Sequence, residues 1–238
     1  EAFNQAFRRL GGQQLLATVT GLVRVNNRVT GMMTATQAYA AGNVVVAAGG
    51  YSRTMLRNAR LSVPLYHTHA EIVVLPEVAQ PLRALIMPGV ATRFAAEAAA
   101  SDPATDSLWD GPPHKIAPPV LDAGVIQFLD GSTYVGQVSR FRTDLGTDAI
   151  DAVQSEAEIR QGIVPQVPCL ANVPGQWRHC LVTFSRDGLP LIGPLPGVEG
   201  LHIFSGFTSP FVFLLPIAHR FVSWFYFKQQ TVADDLIE

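Results

Sequence analysis

Stretches of helical and strand period alternate along the chain, and most changes of period fall at Gly, Pro or Asn. Phe3, Phe7 and Leu10 stand at i, i+4 and i+7, one apolar stripe on a short helix that Gly11-Gly12 ends. Residues 15–25 and 28–36 are rich in β-branched side chains, and the Asn26-Asn27 pair between them tolerates positive φ. Together they predict a hairpin. Residues 43–50 read Asn-Val-Val-Val-Ala-Ala-Gly-Gly, an unbroken apolar run expected of a strand covered on both faces. The small residues at its end allow another group close to the backbone.

A second strand is predicted over 63–75, followed by proline-punctuated sequence to Pro119 in which 95–110 has helical composition. Residues 120–128 and 133–140 flank Asp130-Gly131 and predict another hairpin. A helix over 148–161 ends near Gly162, since Pro165 and Pro168 forbid its continuation. Residues 201–204 form a short apolar strand broken by Ser205-Gly206. Thr208 or Ser209 is placed to cap a following helix with Pro210 at its first position. That helix is apolar on nearly every face to about Phe227, so it is expected to be buried.

With 238 residues and 48% hydrophobic content, the chain can bury a sizeable core. A net charge of -2 and no basic cluster longer than Arg8-Arg9 exclude an electrostatic nucleic-acid footprint. Cys169 and Cys180 are too few for a disulfide framework and lack a CxxC context, so buried reduced thiols and no metal are expected. The sequence opens Glu1-Ala2-Phe3 without a basic or apolar leader, which points to a cytoplasmic protein. Residues 201–227 are very apolar, but Ser205-Gly206, Pro210, Pro216 and His219-Arg220 interrupt them. No run reaches the ~20 residues of a transmembrane helix.

Three segments in order carry a family resemblance. They are Val19-Thr20-Gly21-Leu22 with the run 44–52, then Val63-Pro64-Leu65 through Glu71-Ile72-Val73-Val74-Leu75-Pro76-Glu77. The third joins Asp187-Gly188-Leu189-Pro190-Leu191-Ile192-Gly193-Pro194 to Gly200-Leu201-His202-Ile203-Phe204-Ser205-Gly206 and a helix with Pro216. The sequence resembles the C-terminal part of D-amino-acid oxidase and glycine oxidase-type FAD-dependent oxidoreductases, most of all the sarcosine oxidase beta-chain type. The resemblance implies an α/β and α+β fold, a partial FAD-binding Rossmann-like domain with an interleaved mixed-sheet substrate domain. The FAD-binding part would take residues 1–62, the substrate domain with antiparallel strands 63–176, and the return to the FAD-binding domain 177–238.

By the same resemblance, the main chain of Val19 would contact adenine, and Ala48 and Gly49 would line the dinucleotide. Gly206, Thr208, Ser209, Phe211 and Val212 would approach the isoalloxazine. A helix N-terminus there would stabilise the negative charge that a flavin gains on reduction. Several residues depart from the pattern. No Gly-x-Gly-x-x-Gly occurs, so the pyrophosphate grip would have to come from a complementary chain or segment that carries it. Phe211 stands at a usual glycine. Val182 stands where glycine oxidase-like members place a carboxylate-binding arginine, and an isopropyl group makes no charge-assisted contact.

Candidate substrate-side residues are His67 and His69, which share a strand face as a metal pair or a base near the flavin, although no third metal ligand is evident. Tyr134 is a candidate to orient an amine. Arg140, with Arg142 on the same face, is a candidate carboxylate clamp. The expected function is a part or subunit of an FAD-dependent oxidoreductase that oxidises a small-molecule amine or amino acid by hydride transfer to flavin N5. The alternatives are a non-catalytic flavin-fold subunit with a structural or interaction role, and a flavin-dependent dehydrogenase of a non-amine substrate.

Overall fold

The computed structural model describes residues 2–90, 92–208 and 210–234, with the side chains of 210–212 and 228–234 outside the description. Helix α1 (Ala2–Arg9) leads to the hairpin of β1 (Val19–Val25) and β2 (Arg28–Thr34), turned by Asn26 at φ 52°. Strand β3 (Ala38–Ala40) adds to β2 and completes a three-stranded sheet.

The predicted apolar run forms β4 (Val44–Val46), followed by a 3-10 turn over Gly49–Tyr51 and helix α2 (Ser52–Asn58). Val44 and Val46 are buried, but Val45 is 42% exposed. The expectation of cover on both faces is therefore corrected: α2 and the β1–β2 hairpin pack one face, and the other borders an open cleft.

Strand β5 (Leu65–Leu75) is the centre of a second layer. Helix α3 (Thr92–Ala100) starts earlier and stops sooner than the composition of 95–110 suggests. Ser101 Oγ bonds back to Glu97 O, and Pro103 supplies no amide for another turn. A 3-10 turn over Asp106–Asp110 then buries Trp109. Strands β6 (Lys115–Gln127) and β7 (Thr133–Arg142) form the second predicted hairpin. Helix α4 (Ala152–Ile163) begins at Asp151, whose Oδ1 accepts from the amides of Val153 and Gln154.

Strand β8 (Gln176–Ser185) pairs antiparallel with β5 along nearly its whole length, giving a four-stranded sheet β6-β7-β5-β8. It belongs to the sheet of the middle segment, although residues 177–185 were expected with the return to the FAD-binding part. Cys169 and Cys180 are free but exposed, not buried: Cys169 sits in a 3-10 turn that sends Leu170 inward, and Cys180 lies on an edge strand.

Strands β9 (Leu191–Pro194) and β10 (Leu201–Ser205) pair antiparallel, and β10 runs parallel to β4 in a third sheet. Helix α5 (Pro210–Asp234) follows, with Pro216 inside it. Its expected burial is also corrected: Phe213, Leu215, Val222, Tyr226 and Phe227 are all more than half exposed. Phe221 and Phe225 meet His202 of β10, so among the described residues the helix is covered along one side. No helix among the described residues is long and apolar enough to cross a membrane.

Candidate functional site

Parallel strands β4 and β10 lie in register, Val44 beside Leu201 and Val46 beside Ile203, so both release their chains at the same edge. The crevice beyond the carboxyl ends of parallel strands is where open α/β sheets bind ligands. Here that edge carries Ala47-Ala48-Gly49 from one strand and Gly206 from the other. Gly49 has φ 53° and Gly206 φ 89°, backbone that L side chains rarely adopt. Gly50 is small for a different reason: a Cβ there would lie 2.6 Å from Leu181 Cβ on β8. The two chain ends are tied by a buried hydrogen bond of 3.0 Å between Ser52 Oγ and Ser205 Oγ.

Val19 and Ala48 come together on a cleft of about 800 Å³, whose wall also includes Val45, Tyr51 and Met55. The cleft is mostly apolar. This suits a flat heteroaromatic group. Thr208 Oγ1 is buried and has no hydrogen-bond partner among the described residues. Ser209 and the side chains of Phe211 and Val212 lie outside the described residues.

Helix α2 is held against the four-stranded sheet by Arg53, whose side chain is 6% exposed. Its guanidinium donates to Asp110 at 2.9 and 2.8 Å and to Asp106 Oδ1 at 3.3 Å. Tyr66 donates to Asp106 Oδ1 at 2.5 Å from β5. The residues that shape the cleft are thus clamped to the second layer by a satisfied polar network.

The substrate-side candidates occupy that layer. His67 and His69 do share a face of β5, and both reach the Asp144 carbonyl, at 3.1 and 2.7 Å. His69 Nδ1 also lies 2.8 Å from His179 Nε2 on β8. Burial pushes His67 down to about 4, and burial likewise lowers His69 and His179. Opposite His67 and His69 on β8 are Thr183 and Leu181, the residues that meet Gly49 and Gly50. The histidines therefore stand directly behind the glycine turn.

Arg140 is engaged with two carboxylates, Glu71 at 2.6 Å and Glu158 at 3.1 Å. Glu71, fully buried, also accepts from Ser155 and from Trp177 Nε1. Tyr134 packs edge-on against Phe128 and lines a separate apolar cleft of about 440 Å³ with Ile72, Met87 and Phe94. The structure thus brings Val19, Ala48, Gly49 and Gly206 to one edge, His67 and His69 behind it, and leaves Tyr134 and Arg140 elsewhere. Among the described residues no group of three His, Cys, Asp or Glu is arranged to hold a metal ion. Sequence reasoning missed Arg53, Glu71 and His179, because their partners are many tens of residues away and no spacing announces them.

Comparison with known proteins follows the same lines. Over 188 residues the chain is 26% identical to a glycine oxidase of Pseudomonas putida, covering 79% of this chain and 42% of that protein. Its fold is similar to the glycine oxidase of Bacillus cereus, with a TM-score of 0.59 at 17% identity, over 86% of this chain and 48% of that one. It is also similar to an iminodiacetate oxidase from a Chelativorans species, with a TM-score of 0.56 at 19% identity, over 85% and 46% of the two chains. The chain therefore spans less than half the length of these relatives. Residues 1–224 match the family described as "DAO: FAD dependent oxidoreductase", and the chain belongs to that family.

Proposed function

We propose that this chain forms the adenine-side and isoalloxazine-side walls of an FAD site in an enzyme that oxidises an amine or amino acid. A complementary segment or partner chain carrying Gly-x-Gly-x-x-Gly completes that site. Two observations support this most: the cleft that Val19 shares with Ala48 at the end of β4, and the positive-φ glycines Gly49 and Gly206 just beyond the carboxyl ends of β4 and β10. When bound, FAD supplies the hydride acceptor, N5, for the carbon that bears the amine. The chain's own contributions are shape and position. Val19 presents its main chain to the adenine end, Ala48 and Gly49 admit the dinucleotide against bare backbone, and Gly206 does the same at the ring end. Thr208 Oγ1, buried and without a partner among the described residues, is available to a polar group of the cofactor near the start of α5. Val182 offers no charge to a substrate carboxylate, which favours an amine whose acid group, if it has one, is held by other residues.

The test is spectroscopic. The protein assembled with its complementary segment should show the two visible flavin absorption bands, bleached anaerobically by an amine or amino acid. Gly206→Ala, placed where a Cβ would lie 2.9 Å from Leu65 Cδ2, should lower flavin occupancy at least fivefold. An assembled protein free of flavin would refute the proposal.

A further inference from the structure

A second, smaller cavity of about 210 Å³ lies where the far ends of β6 and β7 meet the start of α4. Its charged lining residues are Lys115, Arg140, Arg142 and Asp151, three cations against one carboxylate. Asp151 Oδ1 already accepts from two α4 amides, so those amides are not the attraction here. Arg140 is neutralised by Glu71 and Glu158. Arg142 differs: only its Nε is engaged, with Asp144 Oδ1 at 3.0 Å, and its side chain is 20% exposed. Among the described residues no acceptor reaches Arg142 Nη1 or Nη2, nor Lys115 Nζ, and Lys115 stands directly opposite Arg142 in the β6–β7 pairing. A partly buried guanidinium with an idle end-on pair of donors is matched by a planar or tetrahedral oxyanion.

We propose that this cavity binds a small oxyanion, a carboxylate or a phosphate, through the Nη pair of Arg142 and Nζ of Lys115. Its lining shares no residue with the cleft of Val19 and Ala48. Across the sheet, Arg140 is followed by His69 and then by Leu181, which seats Gly50, so two strand spacings of about 5 Å each separate it from the glycine turn. Asp144 fills the gap, holding Arg142 through its carboxylate and both histidines through its carbonyl. The inference therefore stands independently of the flavin reading. Its ligand would sit one residue away from the histidines behind the cofactor turn.

Calorimetric titration of the assembled protein at low chloride, with malonate in one series and inorganic phosphate in another, tests it. At least one probe should bind saturably at a single site, and the probe that binds identifies the oxyanion class. Affinity should fall at least tenfold in Arg142→Gln and at least threefold in Lys115→Gln, with flavin absorbance unchanged. Lys115 makes no contact whose loss would unfold the protein, so it decides the matter even if Arg142→Gln is unstable. No saturable heat with either probe, or an affinity unaltered in Lys115→Gln, overturns the proposal.

Discussion

A backbone carbonyl can only accept, so the Asp144 oxygen fixes the protonation of the histidines around it. His67 and His69 must both carry their proton on Nε2. His69 Nδ1 is then a bare acceptor, and His179 must donate to it from Nε2. A second proton on His69 would require His179 to carry its own proton on Nδ1 and accept at Nε2. With His67 held at about 4 against an ordinary 6.5, the unfolded chain takes up a proton below 6.5 that the folded chain refuses. Stability is therefore retained above pH 6.5 and lost as pH falls from there toward 4, by up to about 3 kcal/mol from His67. Urea midpoints between pH 7.5 and 4.5 should show this loss, and His67→Asn should flatten it. Equal slopes for both proteins would refute the assignment. At Glu71, truncation to Ala would leave Arg140 with Glu158 alone and strand the Ser155 hydroxyl and the Trp177 indole N–H, at a cost of about 3 kcal/mol in chemical denaturation. The shared face of His67 and His69 was legible from their alternation alone. His179 was not, because its place beside them depends on the register of a strand more than a hundred residues later.

Among the elements, Gly49 and Gly50 separate conformation from space. Gly49 needs its positive φ but has room for a Cβ, which would meet only Thr183 Oγ1 at 3.6 Å. Gly49→Ala should thus lose about 1 kcal/mol. Gly50→Ala meets Leu181 Cβ at 2.6 Å, and a crowded core position costs about 1–3 kcal/mol. Melting temperatures should therefore fall less for Gly49→Ala than for Gly50→Ala, with the reverse order refuting the geometry. Both hairpins, β4, β10 and the start of α5 at Pro210 follow from local turn chemistry and apolar runs, which is why the sequence reveals them. The end of α3 and the exposure of Val45 and α5 do not. The first depends on a side-chain bond at Ser101, and the second on what lies across from an apolar face, which periodicity does not specify.

At the scale of the molecule, α1, Val45 and α5 all leave apolar side chains exposed, most of all along α5. Exposed apolar surface of this kind suits a contact face. If the proposed complementary segment covers it, amide exchange in β4 and α5 should slow when that segment is added, while exchange in the β5–β8 ladder stays as it was. The pairing of β4 with β10, and of β5 with β8, also has a consequence in time. Contacts between strands so far apart in sequence carry a large loop-closure entropy and form slowly. On the ribosome the crevice has only one wall until β10 has emerged, because residues 44–46 must wait for 201–203. On the proposed function, a chain stopped before that point would lack the β10 side of the dinucleotide site. The cofactor would then meet the fold late, stabilising a finished structure and not guiding its assembly.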